Sequence, residues 1–238
     1  MTRFLNPLAA LFVAASALHA EAQPPRPAVP PTVVASGKAV VKRAPDRAFV
    51  SFATETRAPR PEQAQKDNAA VMAQVRKKLA SEQIPDDAIQ TTSFNLHEDV
   101  DWVNGKRVPR GYMVTNVIEV RVDALDQVGR LLDGVVAAGA TSVGGVRFDL
   151  KDRSGVEREA LRLAVVDARA RAEAVAAGAG TRIVRIQTIE EQGAVDVPRP
   201  MMRMEMAAMA DAAPQTPVAP GEIEIVATVR LTAVIDAQ

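Results

Sequence analysis

The stretch from Ile89 to Val122, IQTTSFNLHEDVDWVNGKRVPRGYMVTNVIEVRV, predicts a long β-hairpin around which the rest of the fold is arranged. Asn104 and Gly105 separate its two strand-like runs. Asn-Gly favours the positive φ angles that a two-residue hairpin turn requires at both central residues. In the second run four apolar side chains share one face, which we expect to be the core face: Val114, Ile118, Val120 and Val122. Asn116 is the polar exception on this face.

Segments with strand or helix periodicity flank this hairpin on both sides. Strands are predicted at Val33–Arg43, Arg47–Thr56, Val143–Leu150, Thr181–Glu191 and Glu222–Asp236, and helices at Pro59–Gln83, Leu125–Ala138 and Ser154 to about Ala177. The order β-β-α-β-β-α-β-α-β-β indicates an α+β fold with helices packed on a largely antiparallel sheet. One domain and two closely joined subdomains both fit this order.

Local signals place the ends of the helices. Pro61 suits the first turn of the first helix. Asp123 can cap the second helix, and Gly139 can end it. Ser154 and Glu157 have the spacing of a capping box at the start of the third helix.

The first 32 residues predict export of the protein. An apolar run from Leu8 to Leu18 precedes the small-x-small pattern Ala20-Glu21-Ala22, which is typical of a secretory signal peptide at residues 1–22. The alternative, a membrane anchor, is disfavoured because the run is too short to cross a bilayer comfortably. Residues 23–32 form a Pro-rich linker, and residues 33–238 form the folded domain.

The composition argues against several classes of function. The chain has 238 residues, with 29 Lys+Arg against 29 Asp+Glu, so it lacks the basic excess of a typical nucleic-acid-binding protein. Aromatic residues make up only 3% of it, which leaves little material for base stacking. It has no Cys, so thiol catalysis and disulfides are excluded, and the domain must depend on its core.

His97, Asp99 and Asp101 are the most metal-like cluster in the sequence. On a strand these three side chains point to one side and could together hold a divalent ion. The alternative interpretation is a solvated strand face, with Phe94 and Leu96 turned to the core, and simple alternation favours it. A Ser-His-Asp hydrolase would have to use His97, because His19 lies in the signal peptide. No G-x-S-x-G motif accompanies this histidine.

Residues 198–216 form a second candidate site, a loop rich in Met and Pro before the last strand. Thioethers at this density can bind Cu(I). They can equally occur in a long surface loop or at a contact with another subunit. The candidate ligands are five methionines, without a neighbouring His or Cys: Met201, Met202, Met204, Met206 and Met209.

The remaining polar features have simpler structural interpretations. The glycine-rich segment at residues 138–145 lacks the Gly-Lys-Ser/Thr ending of a phosphate-binding loop, so a helix end and a bulged strand start are expected there. Asn116 and Asp167 lie near apolar faces, where polar residues usually make hydrogen bonds within a core or at a subunit contact. We identify no convincing acid/base pair in the sequence.

The order of short motifs resembles the SIMPL-domain family of secreted bacterial proteins over about Val33 to Val234. The matching stretches are Gly37–Val40 with Pro45-Asp46, Ile89–Phe94, Gly111-Tyr112 with Asn116, Leu125-Asp126 to Leu132-Asp133, Ala138–Ala140, Gly145–Phe148, Ala164–Arg169 with Ala172-Glu173, and Pro217–Glu222. Most matched residues are the Gly, Pro, Asp and apolar residues that fix turns and cores.

The resemblance implies an exported α+β domain in the periplasm, or associated with the outer membrane, that forms homo-oligomers and contacts other envelope proteins. It also implies a link to oxidative-stress tolerance, and it supplies no catalytic residue or cofactor. The expected function is therefore a non-enzymatic, self-assembling envelope protein. The alternative is a periplasmic Cu(I)-binding protein that uses the methionine-rich loop.

Overall fold

The computed structural model describes residues 30–193 and 218–236. Its elements are β1 (Thr32–Arg43), β2 (Arg47–Ala58), α1 (Pro61–Ser81), β3 (Ile89–Val103), β4 (Lys106–Val122), α2 (Val128–Ala137), β5 (Ser142–Asp149), α3 (Arg153–Gly178), β6 (Ile183–Glu191) and β7 (Ile223–Ile235). Both the predicted order and the α+β class are confirmed. In the described part of the chain the strands form two antiparallel sheets, ordered β1-β7-β6 and β3-β4-β2-β5.

The central hairpin forms as the sequence predicts. Asn104 and Gly105 have φ angles of 50° and 74°, and Val103 pairs with Lys106 across the turn. The expected core face of β4 is confirmed, because the side chains of Val114, Ile118, Val120 and Val122 are buried. The hairpin thus fixes which face of the four-stranded sheet receives the helices.

Helices α1 and α2 cover that face of the four-stranded sheet. Alternate residues of β2 and β4 contribute the sheet side of this core, and helical spacing supplies the other side. Phe52 is the largest fully buried side chain in the layer. The core includes Val50, Phe52, Met72, Val75, Leu79, Ile118, Val120, Leu131 and Val135.

Helix α3 packs on β1 and β7 through side chains of minimal size. Its buried face is a row of alanines at every fourth position: Ala160, Ala164, Ala168, Ala172 and Ala176. A Cβ atom on Gly37 of β1 would overlap the backbone of Ala164 and Ala168. The helix can therefore lie directly against the strand backbone, and Val41, Ile225, Val229 and Leu231 complete this second core.

Asp46 connects the two layers where β1 turns into β2. Its backbone N–H donates to the carbonyl of Asp149 at 3.2 Å, and its Oδ1 accepts from the backbone N–H of Lys151 at 2.7 Å. Arg43 and Glu159 form an ion pair of 2.7 Å beside this junction. The end of β5 and the start of α3 are thereby held to the β1–β2 turn.

Two expected helix caps are wrong. Asp123 does not cap α2, because its Oδ1 accepts from Nε of Arg47 at 2.8 Å and a short 3₁₀ turn precedes the helix. Helix α3 begins one residue early, at Arg153, and Asp152 caps it by accepting from the backbone N–H of Gly155 at 2.9 Å. Helix α2 thus has no side-chain cap, whereas α3 is capped by a residue outside the predicted capping box.

Candidate functional site

Two of the three candidate metal-binding residues on β3, both aspartates, are engaged in ion pairs. Asp99 accepts from Nε of Arg57 at 3.0 Å, and Asp101 pairs with Arg110. His97 lies opposite Met113 on the solvent-exposed side of the strand. Within residues 30–193 and 218–236, no three His, Asp or Glu side chains converge as a metal site would need. The solvated-face interpretation is therefore favoured for these residues.

Asp167 has a structural role at the edge of the three-stranded sheet. Its Oδ2 accepts from the backbone N–H of Lys38 at 2.9 Å and from Nε of Arg171 at 2.8 Å. The Lys38 N–H, followed by the Arg171 guanidinium, holds the pKa of Asp167 below its usual value. This carboxylate occupies a backbone donor of β1 that would otherwise face outward.

Acidification is expected to destabilise the native state in part through Asp167. Because its pKa is lower in the folded than in the unfolded chain, its contribution is present above the unfolded pKa of about 3.9 and is lost as pH falls through the folded value. Urea unfolding of wild type and Asp167→Asn between pH 7 and pH 2 measures this. The difference in unfolding free energy should shrink below about pH 4, and a constant difference would contradict the assignment.

Asn116 lies in a polar patch between α1 and the sheet. Asn68 of α1 is 1% exposed, and its Nδ2 donates to the carbonyl of Thr54 at 3.1 Å and to Oγ1 of Thr54 at 3.2 Å. Asn116 pairs with Thr54 in the strand register, and its buried Oδ1 has no hydrogen-bond partner within the described residues. Thr54 and Asn68 therefore form a satisfied polar pair of the core, beside which Asn116 lies.

The glycine-rich segment has the structural role expected from its sequence. Gly139, with φ of 110°, follows the end of α2. Gly144 and Gly145 open β5, where the register with β2 shifts between Ser51 and Phe52. The five methionines of the candidate copper loop (Met201, Met202, Met204, Met206 and Met209) lie outside the described residues.

The outer edge of β3 carries exposed apolar side chains. Phe94 and Leu96 point to the same face as the core residues of β4, yet they are 53% and 40% exposed. The expectation that they face the core is right about direction and wrong about burial, because β3 is the terminal strand of its sheet and α1 lies mainly over β2 and β4. Apolar side chains therefore lie beside a strand edge that has no partner strand among residues 30–193 and 218–236.

We call residues Ser93 to His97 the β3 edge segment. The ladder with β4 is irregular at Thr91/Ser93 and at Asp99/Val100, so the pairing between these points is regular. Ser93, Phe94, Asn95 and Leu96 carry no charge. Unpaired edges without charges, proline or bulges readily pair with another strand.

Each of the other three strand edges in the described ranges has a feature that disfavours pairing with another strand. β6 has two register irregularities within nine residues and carries Arg185, Glu190 and Glu191, so it has no regular, uncharged run as long as residues 93–96 of β3. β5 has only eight residues, and two of its first four are glycines. Asp167 binds the edge of β1. The β3 edge segment is therefore the strand edge best suited to intermolecular contact.

The fold is an α+β domain of two antiparallel sheets, one covered by α1 and α2 and the other by α3. Its candidate functional site is the β3 edge segment. The model of the SIMPL family, described as proteins of unknown function (DUF541), matches residues 33–233, and the chain belongs to this family. The family model thus matches the part of the chain in which periodicity predicts the strands and helices.

Several curated proteins are similar over most of their length. The 26 kDa periplasmic immunogenic protein of Brucella melitensis is 31% identical over 234 residues, covering 93% of this chain and 94% of that protein. Its counterpart in Brucella abortus is 30% identical over the same length. The protein YggE of Escherichia coli K12 is 28% identical over 184 residues, covering 77% of this chain and 74% of its own. Among the described helices, none combines the length and apolar character that a bilayer crossing requires.

Proposed function

We propose that this chain is an exported, non-enzymatic envelope protein that assembles with itself or with other envelope proteins through the β3 edge segment. Residues 1–22 act as the signal peptide, 23–32 as a linker and 33–238 as the SIMPL domain, with the methionine-rich loop at 198–216. The two Brucella relatives named as periplasmic support a periplasmic location. The links to the outer membrane and to oxidative-stress tolerance rest on family resemblance.

The observation that carries the assembly proposal is the β3 edge segment, whose residues 93–96 are uncharged and which has no outer partner strand in the described part of the chain. Phe94 and Leu96 present exposed apolar area on a strand whose outer side pairs with no other described strand. Strand addition at such an edge supplies main-chain hydrogen bonds and buries the side chains together. Strand pairing at the β3 edge segment would thus supply both hydrogen bonds and apolar burial.

The non-catalytic part of the proposal is supported by the state of the acidic side chains. Asp99, Asp101 and Asp123 each form an ion pair with an arginine. A general acid or base must be able to exchange a proton near the working pH. The Arg47 guanidinium instead holds the pKa of Asp123 below its usual value.

Sedimentation of the mature chain tests the assembly proposal. Wild type is expected to form dimers or larger species, and the double variant Phe94→Lys, Leu96→Lys should raise the dissociation constant by about 100-fold or more. Losing the burial of one large apolar side chain costs about 1.5–3 kcal/mol, and about 1.4 kcal/mol corresponds to tenfold in affinity.

The matched control for this experiment changes two equally exposed apolar residues of α3. Val166 and Val175 are 57% and 56% exposed and lie away from β3. The variant Val166→Lys, Val175→Lys should sediment like wild type. If the wild type stays monomeric up to about 100 µM, any self-association is weak on the affinity scale. That result would overturn the self-assembly proposal.

The second candidate function is Cu(I) binding by the methionine-rich loop. The density of thioethers at residues 201–209 supports it, since soft sulfur ligands select Cu(I). Calorimetric titration under reducing conditions should show saturable binding that is lost when the five loop methionines become leucine. The control Met113→Leu, on β4, should bind like wild type. Absence of heat at micromolar copper would exclude this function.

A further inference from the structure

We propose that the β3 edge segment pairs, antiparallel, with the β3 edge segment of a second copy of this chain, about a twofold axis through Asn95. This inference rests on the proposed function and specifies its geometry. A strand edge can recognise any extended chain, so the choice of a second copy requires a self-complementary sequence. Three features of β3 supply it: the alternation of its faces, the position of its bulges and the pairing of its charges.

The alternation of faces limits the possible registers. Phe94 and Leu96 lie on the face that carries the helices, and Asn95 lies on the opposite face. Directly opposed residues of an antiparallel pair point to the same side of the sheet. A twofold axis normal to the sheet keeps the helices of both copies on one side. It must therefore pass through a residue of β3 rather than between two residues.

The bulges and side chains choose among these registers. An axis at Asn95 places Phe94 opposite Leu96 of the second copy, twice, and places Ser93 opposite His97. An axis at Leu96 would instead place Phe94 opposite the charged Glu98. An axis at Phe94 would require Thr92, which is left out of the regular ladder, to pair with Leu96. The axis at Asn95 alone pairs the regular, uncharged segment with itself.

The charges of the hairpin are compatible with this register. Glu98 pairs with Arg107 at 2.5 Å, and Asp99 with Arg57 at 3.0 Å, both within one chain. In the proposed register Glu98 faces Thr92 and Asp99 faces Thr91 of the second copy. No like charges are opposed across the contact, which would be destabilising between strands. The self-pairing is therefore electrostatically permitted as well as sterically regular.

Disulfide trapping tests this register directly, because the native chain has no cysteine. Asn95→Cys places its only thiol on the proposed axis, where opposed Cα atoms of an antiparallel pair are about 4.5–5.5 Å apart and can be bridged. Mild oxidation of the mature protein is expected to convert most of this variant to a covalent dimer. Thr115→Cys, on the neighbouring strand β4, is the control and should stay monomeric on a denaturing gel.

Two further cysteine variants test the register more sharply. Ser93→Cys mixed with His97→Cys should form a mixed disulfide. Ser93→Cys alone should not, because its two copies would be about 14 Å apart along the strands. Assembly in sedimentation without a disulfide in Asn95→Cys would overturn this inference and leave the proposed function standing. Efficient homodimers of Phe94→Cys or Leu96→Cys in place of Asn95→Cys would overturn the register, and monomeric wild type would overturn both.

Discussion

Replacing Gly37 with alanine is expected to lower the free energy of unfolding by about 3 kcal/mol, the upper end of the usual cost of overpacking. The added Cβ would overlap the backbone of Ala164 and Ala168 in α3, and backbone cannot rotate away as a flexible side chain can. The helix would have to retreat from β1 along its whole row of alanines. Urea unfolding followed by circular dichroism measures the loss.

The matched control for Gly37 is Gly178, at the C-terminal end of α3. A Cβ at Gly178 would meet nothing within 4 Å, so Gly178→Ala should be neutral or stabilising by about 0.5–1 kcal/mol. If Gly37→Ala were as stable as this control, the close contact between α3 and β1 would be wrong. A loss confined to Gly37→Ala would locate the cost in that contact rather than in the general change from glycine to alanine.

The elements of the fold could be predicted because their signals are local. The Asn104-Gly105 turn, the Pro61 helix start and the alternation in β4 each depend on a few consecutive residues, and the structure confirms all three. The alanine-rich composition of α3 is equally visible in the sequence. The contact that these alanines make cannot be read from the sequence, because it involves Gly37, which lies more than a hundred residues away along the chain.

The division into two sheets could not be predicted, because it depends on pairing between distant strands. β1 pairs with β7, so Thr32 lies opposite Val234, almost at the other end of the described chain. The alternation of either strand is equally compatible with one sheet or two. The two arrangements differ in which strands are neighbours, and the periodicity of a strand does not reveal its neighbour.

The residues of the candidate assembly surface could not be located from the sequence for a related reason. Alternation correctly predicts that Phe94 and Leu96 point to the helix side of the sheet. Whether a side chain on that side is buried depends on how far α1 extends over the terminal strand, which is a property of the packed layers. The sequence signal for an exposed edge is the alternation of Phe94 and Leu96 with uncharged polar residues in a long strand.

Replacing Phe52 with alanine is expected to lower the free energy of unfolding by about 3–5 kcal/mol. Phe52 is fully buried between the four-stranded sheet and its two helices, so truncation leaves a cavity that neighbouring side chains refill only in part. Leu231→Ala is the matched change in the other core, where Leu231 is also fully buried, and should cost about 2–5 kcal/mol. Urea midpoints of both variants measure these losses.

The two core variants together test whether the layers unfold as one unit. Asp46 links the β1–β2 turn to Asp149 and Lys151, so we expect the loss of either core to release the other. Each variant should then shift a single transition, with equal loss of hydrogen-exchange protection in β4 and β7. Persistent protection of β7 in Phe52→Ala after β4 has exchanged would show that the layers unfold separately. In that case the contacts of Asp46 would be too weak to couple them.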